Sequence, residues 1–205
     1  MNANTDISSE SRIIRRLDVE TPLGVVHLAG FTQKPDHRSV IFGILSEYCG
    51  EPVTAGDVVE SKEDTRPRFP KLDFDVNWTH SEGYCVVAYG ERGSLKKLRI
   101  GVDLERYSRK RLHLAERFFS AEEASFVNSL EGELAEVEFF KLWSRKEAFY
   151  KCIGGEFFEG TLRRSMLEDR VCVQDRMVYL VDVFSAAVGM PVPASLCVAV
   201  SPISF

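Results

Sequence analysis

The order of elements along the chain predicts an α+β protein. Three observations predict it. Two apolar runs near the start read as adjacent strands, a strongly periodic helix stands late in the chain, and strand-like stretches fill the middle and the end. At 205 residues and 44% hydrophobic content, the chain can build one ordinary globular unit, or two small ones that share an interface.

Residues 1–11 are polar and contain no apolar core, so they read as a disordered N-terminus rather than a secretory signal. Residues 13–20 and 23–31 read as two strands broken at Thr21-Pro22. Asp36 is placed to cap a helix running through Tyr48. Val40, Ile41, Ile44, Leu45 and Tyr48 recur at helical spacing, and Gly50 stops it. His37 and Arg38 fall in its first turn. They are either a solvated helix start or a phosphate contact.

Residues 53–59 read as a weak strand. The polar stretch 61–71 follows, where Pro67 and Pro70 argue for an extended loop. Its cations Arg66, Arg68 and Lys71 are either solvated or set over a polyphosphate. Residues 74–83 begin with strand alternation and end in Asn77, Thr79 and Ser81 around His80. A strand at 84–89, a turn at 90–93 and a strand at 98–105 predict an antiparallel meander. It would set His80 and the carboxylates Asp103 and Glu105 at neighbouring strand ends.

Asp103 and Glu105 are two residues apart on a strand, so they share a side, with Cα atoms about 7 Å apart. Val102 and Leu104 point the other way, into a core. Taken alone, the pair is a strand end entering a solvated turn. As a pair of hard oxygen ligands on a rigid edge, it suits Mg²⁺.

The basic run 106–111 is the candidate boundary between two halves, 12–106 and 107–205. It is a solvated face or a contact for an acidic partner. Ser120 and Glu123 form a capping box for a helix through Leu130, which Gly132 breaks. Residues 136–153 form the longest and most periodic helix, closed by Gly154-Gly155. Its aromatic residues imply deep burial. Glu147 shares a face with Phe140 and Trp143, and Lys151 lies one turn further along it. A half-buried carboxylate beside a lysine is a candidate metal ligand or base with a phosphate-binding neighbour. Short strands at 171–173, 178–184 and 196–200 complete the chain.

The formal net charge of −5 comes without a long basic block, so no nucleic-acid footprint is indicated, though a local basic patch could still serve an anionic ligand. The five cysteines form no CxxC pair, and Cys85 and Cys197 sit in apolar runs. They read as buried thiols of a cytoplasmic protein rather than as a zinc site. No run approaches 18 apolar residues, so no membrane span is expected.

Three segments together resemble one family. Asn77-Trp78-Thr79-His80-Ser81 is similar to an Asn-x-Ser-His-Ser motif, and Gly101-Val102-Asp103-Leu104-Glu105 to a Gly-Val/Ile-Asp-Ile/Leu-Glu motif. Trp143-Ser144-Arg145-Lys146-Glu147-Ala148-Phe149-Tyr150-Lys151 resembles a Trp-Ser/Thr-x-Lys-Glu-Ala-x-x-Lys motif. All three belong to the Sfp-type 4′-phosphopantetheinyl transferases, and Arg66-Pro67 resembles that family's basic-plus-proline element upstream. The motifs span roughly residues 66–155.

The resemblance implies two similar α/β halves related by a pseudo-twofold axis, with the active site at their interface. It implies a monomeric enzyme that moves 4′-phosphopantetheine from coenzyme A to a serine of an apo acyl or peptidyl carrier protein, releasing adenosine 3′,5′-bisphosphate. Asp103, Glu105 and Glu147 then match the ligands of Mg²⁺, with Mn²⁺ an alternative. Glu147, Lys151 and His80 match catalytic positions. His80, Thr79, Arg66, Lys151 and Asp103 match positions that meet coenzyme A. Arg109, Lys110 and Arg111 would face the carrier.

Thr79 departs from the usual Ser but keeps the hydroxyl. Glu156 stands where many members have Gly, which leaves the loop after the long helix open. Lys34, His37 and Arg38 are the candidates for the N-terminal nucleotide contacts. A metal-dependent pyrophosphate or phosphoester hydrolase, and a non-catalytic binder of coenzyme A or carrier, remain as alternatives.

Overall fold

The computed structural model of the chain describes residues 14–32, 36–59, 66–92, 98–154, 163–173 and 175–203. The stretch 1–11, Lys34, Gly155, Glu156, residues 61–65, Gly93 and the side chains of Arg109 and Lys110 lie outside the described residues.

The protein is α+β, built on two four-stranded antiparallel sheets. The first has β1 (Arg15–Thr21), β2 (Gly24–Thr32), β3 (Val76–Ser81) and β4 (Tyr84–Gly90), in the order β1-β2-β4-β3. The second has β5 (Leu98–Arg106), β6 (Arg170–Val173), β7 (Arg176–Phe184) and β8 (Ala194–Pro202), in the order β5-β8-β7-β6. The helices are α1 (His37–Cys49), α2 (Ala115–Phe118), α3 (Ala121–Asn128) and α4 (Gly132–Ile153).

Strand parity builds the layers. Val86 and Ala88 of β4 join Val26 and Leu28 of β2 in one core, together with Ile100, Val102 and Leu104 of β5 and Leu196, Val198 and Val200 of β8. That core lies between the sheets. Cys85, Val87 and Tyr89 face the other way, onto Val40, Ile41, Ile44 and Leu45 of α1. Cys197 and Ala199 face the opposite way from their own neighbours, onto Phe139, Phe140 and Phe149 of α4. The stack is α1, sheet, sheet, α4. Its central strands are buried on both faces, which is why 84–89 and 196–200 are nearly continuous apolar runs.

One connection order recurs. In β2, α1, β3, β4 the last strand sits between the first and third, as β2-β4-β3. In β5, α4, β7, β8 it does so again, as β5-β8-β7.

Asp36 caps α1 by accepting from Ser39 N, and Gly50 ends it at φ 73°. The capping box of Ser120 and Glu123 is formed at α3. Three expectations need correction. Residues 53–59 form no strand: Ala55–Asp57 is a 3₁₀ turn, and Val59 makes only an isolated bridge with Arg68. Helix α4 begins at Gly132, four residues before the first strongly periodic position, because polar first-turn residues blur the hydrophobic period. Strand β5 does not continue the β3–β4 hairpin as a meander; it pairs with β8 instead. Apolar alternation marks a strand but carries no information about its neighbour.

Candidate functional site

Helix α4 lies directly on β5, and Gly101 permits it. A Cβ at Gly101 would stand 1.9 Å from the Ala148 carbonyl oxygen and 2.5 Å from Cys152 N. Backbone of α4 therefore occupies the space that any other side chain would fill. The same parity that points Gly101 at the helix points Asp103 and Glu105 at it. Glu147 and Lys151 come to them from α4.

Lys151 Nζ donates to Asp103 Oδ1 at 2.7 Å, to the Val102 carbonyl at 3.1 Å and to Thr79 Oγ1 at 3.4 Å. Its three protons are spent. Asp103 is buried, and its Oδ2 has no hydrogen-bond partner among the described residues. An unpartnered buried carboxylate oxygen is costly and calls for an explanation. Burial pushes the Glu105 carboxyl up to about 7; the charges of Asp103 and Glu147 add to this, and Arg111 opposes it. Burial also raises Glu147, with Asp103 adding and Lys151 opposing. The three carboxylates thus feel one another in a site short of positive charge.

As placed, no three His, Cys, Asp or Glu side chains among the described residues stand close enough to hold a metal ion. Glu105 is drawn aside by Arg111, whose Nη1 donates to Oε2 at 3.0 Å. The chemistry of the set nevertheless fits a hard divalent cation. One buried anionic oxygen has no partner among the described residues, and two neighbouring carboxyls are pushed up by burial and by the charge of Asp103.

Asp103, Glu105, Glu147, Lys151 and Thr79 therefore come together. His80 is exposed on the other side of β3, its ring centroid 6.0 Å from that of His37 at the start of α1. Burial lowers the His37 pKa, with His80 and Arg38 adding to the effect. Arg66 lies toward the far end of β3. It is buried, donating Nη1 to the Cys152 carbonyl at 2.8 Å and pairing with Asp75 through Nη2. Asp75 also accepts from Ile100 N, about 13 Å along β5 from Leu104. Arg111 sits over the Phe140 ring, 6.0 Å from its centroid.

Sequence reasoning missed three members of the surroundings. Glu123, read only as a cap, receives Lys146 Nζ at 2.7 Å with both side chains fully buried. Arg145 spends its guanidinium on Asp182, Asp169 and the carbonyls of Met166 and Leu167. Asp75 anchors Arg66. No local pattern singled them out, because each stands among other charged or polar residues. A cavity of about 780 Å³ beside Arg145 is lined by that same ion network and lies away from the carboxylate set.

Residues 99–186 match the family model described as the 4′-phosphopantetheinyl transferase superfamily. The chain is 40% identical over 81 residues to 4′-phosphopantetheinyl transferase psf-1 of Bacillus pumilus, covering 40% of this chain and 32% of that protein. It is 32% identical over 132 residues to a 4′-phosphopantetheinyl transferase of Bacillus subtilis, covering 60% and 55%. To 4′-phosphopantetheinyl transferase HetI of Nostoc it is 33% identical over 124 residues, covering 57% and 49%. The chain thus spans about a third to a half of the length of the curated relatives it matches.

Proposed function

We propose, from the match of residues 99–186 to the 4′-phosphopantetheinyl transferase superfamily model, that the chain transfers the 4′-phosphopantetheine arm of coenzyme A to a serine of an apo acyl or peptidyl carrier protein. The buried, unpartnered Oδ2 of Asp103, within electrostatic reach of two more carboxylates and flanked by Lys151, carries this reading.

Asp103, Glu105 and Glu147 would hold Mg²⁺ or Mn²⁺. When bound, the cation offsets the charge of the coenzyme A pyrophosphate. The carrier serine Oγ attacks the pantetheine-side phosphorus. A new P–O bond forms as the pyrophosphate P–O bond breaks, and adenosine 3′,5′-bisphosphate leaves. Glu147, held above the usual carboxylate range by burial, accepts the serine proton. Lys151, held beside Asp103, would stabilise the negative charge that develops on the transferred phosphate. His80 and His37 at the start of α1 would meet the nucleotide phosphates, with Arg38 beside them. Arg66 would contribute by fixing the loop it anchors. Arg111, with Arg109 and Lys110, would meet an acidic carrier.

The repeated connection order supports two halves about a pseudo-twofold axis, but it groups β5 with the second half, so it favours a division before Leu98 over one between 12–106 and 107–205. The five cysteines are free thiols, which fits a reducing cytoplasm. No helix among the described residues is long and apolar enough to cross a membrane.

Incubation with a tagged coenzyme A, Mg²⁺ and a panel of apo carriers tests the reading. Labelling of a carrier is expected, with loss of about 100-fold or more in Asp103→Ala and Glu147→Gln. Full labelling by both variants would refute the site. Release of the bisphosphate without a carrier would favour the hydrolase.

A further inference from the structure

Strand β5 has a free edge. Its backbone pairs with β8 on one side, and every second N–H points away from that pairing, toward β3. Such donors need acceptors when buried. The alternate side chains of the β3 segment supply them. Asp75 Oδ2 accepts from Ile100 N at 2.8 Å, Asn77 Oδ1 from Val102 N at 3.2 Å, Thr79 Oγ1 from Leu104 N at 3.3 Å and Ser81 Oγ from Arg106 N at 3.2 Å. The offset is constant, so the two segments run parallel as a ladder with side chains for rungs. The ladder joins the two sheets where no backbone pairing does.

The third rung is chemically distinct. A threonine hydroxyl has one proton and two lone pairs. The Thr79 proton goes to Asp103 Oδ1 at 3.2 Å, and its lone pairs accept from Leu104 N and Lys151 Nζ. Nothing remains for a substrate. Oδ1 of Asp103 is thereby held between Thr79 and Lys151, and Oδ2 is turned to where it has no partner among the described residues.

We propose that Thr79 is a positioning residue for the cation site, and that it acts by orienting Asp103 rather than by touching coenzyme A. The inference rests on the reading of Asp103 as a metal ligand. It separates that role from a substrate role, because each predicts a different constant.

Mn²⁺ binding by the 205-residue chain, followed by the electron paramagnetic signal of free Mn²⁺ with no coenzyme A present, needs no turnover. Thr79→Val is expected to bind Mn²⁺ about tenfold more weakly than wild type, the loss of one hydrogen bond to a charged group. Thr79→Ser should restore it. Ser81→Ala, which removes a rung that does not touch Asp103, should stay within about twofold of wild type. At saturating Mn²⁺, the Thr79→Val KM for coenzyme A should match wild type. Thr79→Ala carries the same expectation should the valine variant fail to fold. Equal Mn²⁺ affinity in wild type and Thr79→Val, absence of measurable binding in wild type, or a defect confined to the KM for coenzyme A would overturn the proposal. Failure of wild type to label any carrier would instead overturn the transferase reading and leave the Mn²⁺ comparison standing.

Discussion

Lys146 and Lys151 stand on the same helix, each with a carboxylate oxygen 2.7 Å from Nζ. Their surroundings differ. Around Lys146 every group is satisfied. Glu123 accepts from Lys146, Met166 N and Ser120 N, and Lys146 also donates to the Arg164 carbonyl. The Phe119 ring lies 5.3 Å away. Around Lys151, among the described residues, the carboxylates outnumber the cations, one oxygen is orphaned, and two carboxyls are pushed up. The first cluster consumes its own polar capacity and fixes α4 against α3. The second leaves capacity unused, which is what a site needs in order to bind something. Ion pairs of equal length can be scaffold or site, and the unsatisfied remainder tells them apart.

The largest expected effect breaks the scaffold. Lys146→Met strands Glu123 in the core and should lower unfolding stability in urea by about 3–5 kcal/mol. Lys146→Met combined with Glu123→Leu should recover most of that. A cost below about 1 kcal/mol for the single variant would erase the contrast.

The next effect is pH-dependent and belongs to the other cluster. Glu105 holds its proton up to about 7 in the fold, against 4.5 without it. Between those values the folded state binds more protons than the unfolded, so the stabilisation is present below 4.5 and lost as pH rises through 7. In metal-free protein this amounts to about 3 kcal/mol at most. Glu105→Gln should flatten that part of the urea stability profile. An unchanged profile would show that Glu105 is an ordinary exposed acid.

The smallest effect sharpens the comparison from the ligand side. Mg²⁺ at roughly ten times its dissociation constant should stabilise wild type by about 1.4 kcal/mol, seen as a rise in Tm. Asp103→Asn should lose the rise. Ser120→Ala, which weakens the satisfied cluster, should keep it.

Much of the fold was legible because helices and strands write their period into neighbouring residues. Asp36 and Gly50 bracketed α1, and Ser120 and Glu123 opened α3. The 53–59 stretch was not legible, since a 3₁₀ turn of Ala55, Gly56 and Asp57 leaves no period to read. Of the candidate site, type and spacing singled out Asp103, Glu105, Glu147 and Lys151, and the motif resemblance gathered them into one set. The division of labour among Asn77, Thr79 and Ser81 was not. These polar residues share one parity of β3, which is visible in the sequence, but the β5 edge that they serve is not.

By itself the sequence determined where most of the strands and helices lie, which of their faces are apolar, and which few polar residues are out of place in them. Those follow from local sterics and periodicity. Only the tertiary structure decided that β5 turns to β8, that Gly101 lets α4 lie against β5, and that Thr79 and Lys151 close on one oxygen of Asp103 and leave the other bare. Contacts between residues so far apart in the chain depend on the packing of whole layers, and no local pattern encodes them.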